Sequence, residues 1–172
     1  MKAKTINHAV VFDWDDTLIK SNAKTQLFNN NKFIKSLTPK EYNNYKYTPG
    51  DILDNSDFND VKLILSSTPY IMWTLFNKLY KENVDIYILT ARHKVAKEFI
   101  HKFLLNKNIN IPIENIFTIG NKYGSTNVPH KKFQVLQKIV NNYIRVDFYD
   151  DNANTINYVK KFLSSLNAYL IY

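Results

Sequence analysis

The stretch Val10-Val11-Phe12-Asp13-Trp14-Asp15-Asp16-Thr17-Leu18 decides how this chain is read. An apolar run followed at once by carboxylates is the pattern of a buried strand whose C-terminal end opens into a site, where open α/β sheets place their ligands. Residues two apart on a strand share a face, so Asp13 and Asp15 aim both carboxylates at one point. Acids so placed repel, and that arrangement calls for a cation or a catalytic role. The competing reading is an acidic turn in which Asp15 or Asp16 caps a helix, a common position for Asp. Trp14, between the two acids, faces away from them into the core by the same alternation, or stacks on a base if it lies exposed.

Outward from that stretch, strands and helices alternate. Ala9 to Phe12 is the first strand, and the segment from Ile19 to Thr68 is too long to be a bare connection. A helix is expected over Thr25 to Ser36, with Asn29-Asn30-Asn31 a surface turn. The capping box Thr38-Pro39-Lys40-Glu41 starts a short helix towards Tyr45. Pro49-Gly50-Asp51 marks a turn, and Asp51, Asp54, Asp57 and Asp60 read as a solvated loop or as charge lying over the site. Thr68-Pro69 repeats the cap-then-proline signal, and Ile71, Met72, Leu75, Phe76 and Leu79 give a core-facing helix as far as Glu82.

Val84 to Leu89 has strand composition and ends at Thr90-Ala91-Arg92. Val95, Phe99 and Phe103 then give an amphipathic helix to about Asn106. Ile116 to Ile119 is a third strand, closed by Gly120. A loop through Gly124 and Pro129 leads to a helix from about Lys131 to Asn142. Ile144 to Tyr149 is a fourth strand ending in Asp150-Asp151-Asn152. A helix over Asn154 to Ser165 and a fifth strand over Ala168 to Tyr172 close the chain. This alternation predicts an α/β fold with a mostly parallel five-stranded sheet covered on both faces.

At 172 residues and 45% apolar content, residues 1–172 form one domain with a proper core. The chain has no cysteine, so a thiolate metal site is excluded and oxygen-liganded hard cations such as magnesium come first. Met1 to His8 is polar and the next apolar run breaks at Asp13, so a soluble intracellular, cytoplasmic protein with no membrane partner is expected. A net charge of +8 and a pI near 9.4 invite a polyanionic partner such as nucleic acid. AT-rich coding, visible in the many Lys, Asn, Ile and Tyr residues, accounts for the same basic balance. The histidines His8, His101 and His130 show no metal-ligand spacing.

In this layout Asp13, Asp15, Thr90, Asp150 and Asp151 all fall at the C-terminal ends of strands, so one edge of the sheet collects them. The pattern Asp-x-Asp-x-Thr directly behind an apolar strand resembles the first motif of the haloacid dehalogenase-like (HAD) hydrolases. That family's pattern continues with a Thr or Ser after the second strand, a Lys at the start of a later helix, and paired acids after the next strand. Thr90, then Lys131 or Lys132, then Asp150-Asp151 stand in that order, and the resemblance covers Ala9 to about Asn154. It implies a three-layer, Rossmann-like sheet with a small helical, cap-like insertion at about 19–68.

The resemblance also implies roles. Asp13 attacks phosphorus to form an aspartyl-phosphate, and Asp15 protonates the leaving oxygen. Magnesium is held by Asp13, the backbone carbonyl of Asp15 and one acid of the Asp150-Asp151 pair. Asp151 is expected on the metal, and Asp150 beside the lysine or a metal-bound water. Thr90 and the lysine donate to phosphoryl oxygens, with Lys132 preferred because Leu136 and Ile139 then fall where the family has apolar residues. Plainer readings stand beside each. Thr90, Asp150, Asp151 and Asn154 are also ordinary helix caps, and Lys131, Lys132, Arg92 and His93 are ordinary solvated side chains.

The function so implied is a magnesium-dependent phosphatase with a phosphorylated substrate. The modest insertion and basic charge favour a nucleotide or a nucleic-acid terminus. Residues Leu37 to Phe58 resemble the same segment of small viral and phage members of the family. The alternatives are a protein phosphatase of the same family and a catalytically silent nucleic-acid-binding module. The residues leave the oligomeric state open.

Overall fold

A computed structural model of the protein describes residues 8–120 and 127–172. Met1 to Asn7 and the loop position Gly124 lie outside the described residues. The buried run His8–Phe12 forms β1. The insertion follows, as β2 (Ile19–Lys20), β3 (Thr25–Asn29), β4 (Lys32–Leu37), α1 (Pro39–Asn43), β5 (Asp51–Asp54), a single 3-10 turn (Ser56–Asn59), α2 (Val61–Leu65) and β6 (Thr68–Pro69). The remainder alternates as α3 (Trp73–Lys81), β7 (Asp85–His93), α4 (Ala96–Leu105), β8 (Ile116–Gly120), α5 (Val128–Val140), β9 (Arg145–Asp150), α6 (Ala153–Phe162) and β10 (Leu166–Leu170).

Among the described residues, five strands form one sheet in the order β10-β9-β1-β7-β8, and every neighbouring pair in it is parallel. This is a Rossmann-like order. The chain leaves β1 for β7 on one side and later returns to β9 on the other, so the crevice at the C-terminal ends of β1 and β9 is the topological switch point. Alternation along β1 divides the core in two. Val10 and Phe12 pack with Phe76 of α3 and Ile100, Phe103 and Leu104 of α4, while Ala9 and Val11 pack with Leu136 and Ile139 of α5 and Ile156 and Val159 of α6. Helices therefore cover both faces, as the alternation of elements requires. Trp14 lies wholly inside the first of these clusters, edge-on to Phe103 at 5.4 Å between ring centroids.

The insertion departs from the expected helical form. Residues Thr25 to Ser36, expected as a helix, are two strands of a three-stranded antiparallel sheet in the order β4-β3-β5. The reason is the turn at Asn30 and Asn31, which have φ of 49° and 62° between the paired residues Asn29 and Lys32. Two left-handed central residues are the signature of a hairpin turn whose twist matches its strands, and Asn tolerates that conformation. The capping box forms as expected, with Thr38 Oγ1 accepting from Glu41 N and Glu41 Oε2 accepting from Thr38 N at 2.8 Å.

Thr68-Pro69 does not start a helix. It pairs with Ile19–Lys20 as a two-residue ladder that closes the base of the insertion, and α3 begins only at Trp73. The acidic run is no loop of spare charge either. Asp51 accepts from Tyr45, Thr48 and Asn29, Asp57 accepts from Lys24 N, and Asp60 caps α2. At the last helix the cap is Asn152, which accepts from Thr155 N at 3.1 Å, while Asn154 lies within the helix. No described helix is long and apolar enough to cross a membrane.

Candidate active site

Asp13 follows β1, and its backbone N–H donates to Tyr149 O of β9 at 2.9 Å, so the end of β1 is held in register with the end of β9. That register brings Asp13 and Asp150, 137 positions apart in the chain, to opposite sides of one lysine. Lys132 Nζ donates to Asp13 Oδ1 at 2.5 Å and to Asp150 Oδ2 at 2.7 Å, and all three side chains are buried. Lys132 reaches them because it shares the inward face of α5 with Leu136 and Ile139, four and seven residues on. Lys131, one position round the helix, instead directs Nζ towards Ile119 O at 3.5 Å and does not line the cavity. Asp150 Oδ1 accepts from Asn152 N at 2.8 Å, which fixes the rotamer of the acid.

Asp13, Asp150 and Asp151 each offer an oxygen, and these atoms lie within 4.8 Å of one another. Burial pushes the Asp13 carboxyl well above the ordinary range; Lys132 pulls it back, and Asp150, Asp151 and Asp15 add to the rise. Asp151 is pushed up to about 7, chiefly by burial and next by Asp150. Burial alone would weaken the charge on Lys132, but Asp13 and Asp150 outweigh it and hold the ammonium protonated beyond its ordinary value. Three carboxylates face one ammonium, an excess of two negative charges when all are ionised. An all-oxygen donor set with that excess fits a hard divalent cation such as magnesium, and without one the deficit is met by protons.

Asp15 is placed on the same cavity, but its carboxylate is engaged by Arg92, a residue expected on the solvated rim. Arg92 Nε and Nη2 donate to the two Asp15 oxygens at 2.9 and 2.7 Å in a bidentate pair. Its Nη1 donates to Phe58 O at 2.7 Å, Nη2 also reaches Ser21 Oγ at 3.1 Å, and the guanidinium carbon lies 5.3 Å from the centre of the Phe58 ring. Only 3% of Arg92 is exposed.

Alternation along β7 puts Arg92 on the face of buried Thr90. The pairing of β7 with β8 slips between Thr90 and His93. Gly120 permits it, since a Cβ there would stand 2.1 Å from Ala91 O. The signal was in the sequence, because a glycine closing a strand marks a close backbone approach. Thr90 is buried at the same place, with Oγ1 accepting from Arg92 N at 3.2 Å, and the helix it would have capped starts later, at Ala96.

Asp13, Asp15, Thr90, Arg92, Lys132, Asp150 and Asp151 thus line one cavity, whose opposite wall is built by the insertion. His93 lines the cavity beside Arg92, whereas His8 and His130 serve elsewhere. His8 Nε2 bonds Asp147 and His130 Nδ1 bonds Tyr158 Oη, both at 2.9 Å.

No protein-family model matches the chain, and no curated protein sequence matches it. Among solved structures it is similar to chains from two structures of a Pnkp1/Rnl/Hen1 complex. One, from a structure of the Pnkp1/Rnl/Hen1 RNA repair complex, superimposes with a TM-score of 0.58 at 13% identity over 99% of this chain. The other, from a structure of the Pnkp1/Rnl/Hen1 complex, gives 0.55 at 16% identity over 98%. The chain spans 44% and 47% of the two chains it matches. At these identities the likeness is one of fold, and it extends through the insertion as well as the parallel sheet.

Proposed function

We propose that this protein is a magnesium-dependent phosphatase, similar in chemistry to the haloacid dehalogenase-like hydrolases, that removes a terminal phosphate from a nucleotide or nucleic acid. The observation that carries the reading is the meeting of Asp13, Lys132, Asp150 and Asp151 at the switch point of the sheet, beside Thr90 and Asp15. A phosphoester is anionic and its transition state spreads charge over the equatorial oxygens, so a site for it needs a placed nucleophile among cations and donors.

In this reading an Asp13 oxygen attacks phosphorus, the ester P–O bond breaks, and Asp15 gives a proton to the departing oxygen. Water then attacks phosphorus, returns a proton to Asp15 and releases phosphate from Asp13. Lys132 and the Thr90 hydroxyl donate to phosphoryl oxygens. Asp13, Asp150 and Asp151 would hold magnesium, which supplies positive charge between the carboxylate nucleophile and the phosphate. For Asp15 to deliver its proton, one of its oxygens has to leave the Arg92 guanidinium, and the arriving phosphate is an anion that competes for it. The fold shared with chains of an RNA repair complex favours a nucleic-acid end over a phosphoprotein as the substrate.

The test is phosphate release from a panel of 3′- and 5′-phosphorylated oligonucleotides, mononucleotides, phosphopeptides and sugar phosphates, with and without magnesium. Release from oligonucleotide ends that needs magnesium and disappears in Asp13→Asn is the expected result. Release from phosphopeptides alone would replace the substrate class. No release from any of them, alongside tight oligonucleotide binding, would leave a binding module in place of an enzyme.

A further inference from the structure

The two walls of the cavity differ in kind. Every ionisable group in its lining, apart from one tyrosine, comes from the parallel sheet and the segments that follow its strands. The insertion contributes Thr25, Pro39, Tyr42, Asn43, Asn55, Phe58 and Asn59, two aromatic rings and three amides with no formal charge among them. Tyr42 stays neutral, its phenol pushed up to about 12 first by burial and then by Tyr47.

Those groups are held in place before any ligand arrives. Thr25 Oγ1 donates to Asn55 Oδ1 at 2.6 Å, which sets the Asn55 amide. The 3-10 turn Ser56–Asn59 is tied to the sheet by Arg92, which bonds the Phe58 carbonyl and lies over one region of its ring. One acceptor is left over. Asn59 Oδ1 is buried yet has no hydrogen-bond partner among the described residues. A buried amide oxygen without a donor costs about 1–3 kcal/mol, and because Asn59 lines the cavity, a turn of its side chain brings this acceptor onto a ligand donor.

We infer that the insertion wall is a nucleobase subsite, in which the terminal base of the substrate lies against Phe58 and Tyr42 and presents a donor to Asn59 Oδ1. This rests on the proposed phosphatase reading for the position of the phosphate, and adds what stands on the far side of the ester. The chemistry favours a base over the other phosphoester leaving groups. A base offers a flat π face to stack and a donor and acceptor edge that amides match. A phosphopeptide offers neither in fixed geometry. The sugar of the same nucleotide lacks the face, and an abasic end therefore isolates the contribution of the base.

The experiment is a binding comparison on the full chain carrying Asp13→Asn. The two ligands are 3′-phosphorylated tetranucleotides, one intact and one with an abasic 3′-terminal residue, titrated by calorimetry in magnesium. Intact ends are expected to bind about tenfold tighter, the scale of one base stacked on a ring. Phe58→Leu and Asn59→Ala, each added to that background, are expected to bring the intact ligand to the abasic affinity and leave the abasic one unchanged. Repeating the titration on the wild-type chain in chelator provides the same comparison should Asp13→Asn fail to fold. Equal affinity for the two ends, or a preference that survives both substitutions, overturns the subsite. Because the readout is binding, a wild-type chain that releases no phosphate would count against the phosphatase reading and not against this one.

Discussion

Asp151, at the end of β9, and Asp51, in the inserted sheet, are the same residue type in two settings that move it in opposite directions. Burial and the neighbouring Asp150 push Asp151 up to about 7, while hydrogen bonds from Asn29, Tyr45 and Thr48 hold Asp51 far below the ordinary carboxylate range. At the sheet edge, acids are crowded together against their own repulsion, as a site for a cation requires. In the insertion Asp51, Asp54, Asp57 and Asp60 are each spent on hydrogen bonds to a turn, a neighbouring strand or a helix start. The contrast separates a charged wall, which stores electrostatic strain, from an uncharged wall, which shapes the space opposite.

The largest test of that division is Asp13→Asn. On the proposed chemistry it lowers magnesium-dependent phosphate release by about 10⁴-fold or more, the scale on which loss of a nucleophile acts. Unfolding in urea should show the variant at least as stable as wild type without metal, because one of three crowded acids is gone. A variant that keeps more than a tenth of the activity would break the comparison at its centre.

Arg92→Ala tests the link between the walls. It leaves the partly buried Asp15 without its bidentate partner and the Phe58 carbonyl without its donor, and costs about 1–3 kcal/mol of unfolding free energy. Hydrogen exchange should locate the change in residues 55–59 and leave β1 and β9 protected. Uniform loss of protection would mean that Arg92 supports the whole fold and not the junction.

Stability against pH, measured in chelator, should carry opposite slopes from the two walls. A carboxyl whose folded pKa is raised binds more protons folded than unfolded, so Asp151 makes stability fall as pH rises from about 4 through about 7, and Asp13 adds to the loss in the same direction. Asp51, with its folded pKa depressed, contributes stability above about 4 that is lost as pH falls below it. Magnesium at millimolar concentration is expected to flatten the first slope, since a bound cation favours the ionised acids, and to leave the second unchanged. A first slope that magnesium does not alter would detach the raised carboxyls from metal binding.

The smallest effect belongs to the hairpin turn. Asn31→Ala places a residue with a poorly suited side chain at φ of 62° and should cost about 1 kcal/mol in urea unfolding, whereas Asn31→Gly should cost nothing or stabilise slightly. Equal midpoints for the two variants would show that the turn does not set the β3–β4 register.

The strands of the parallel sheet were legible because each is a short buried run whose apolar residues announce it without reference to any partner. Their bounds moved by only a residue or two at β1, β8 and β9, and Trp14 turned into the core as alternation along β1 requires. The insertion was less legible. Thr25 to Ser36 has apolar residues that serve a helix or a hairpin alike, and the deciding signal was the Asn-Asn pair between two β-forming runs. Arg92 was misread for a different reason. Arg92 shares the face of buried Thr90 by alternation along β7, yet a charged side chain at a strand end reads as solvated, and only the meeting of β7 with the segment after β1 supplies the Asp15 carboxylate that holds it inside.

By itself the chain's order of residues determined which carboxylates terminate strands and which helix face carries Lys132, because both follow from the periods of a strand and a helix. The tertiary structure alone decided which of those groups touch. Contacts between Asp13 and Lys132, or Asp15 and Arg92, join residues 119 and 77 positions apart. They depend on strand order and register, which no local period encodes. The same holds for the Asn59 acceptor, whose lack of a partner exists only once the insertion is folded against the sheet.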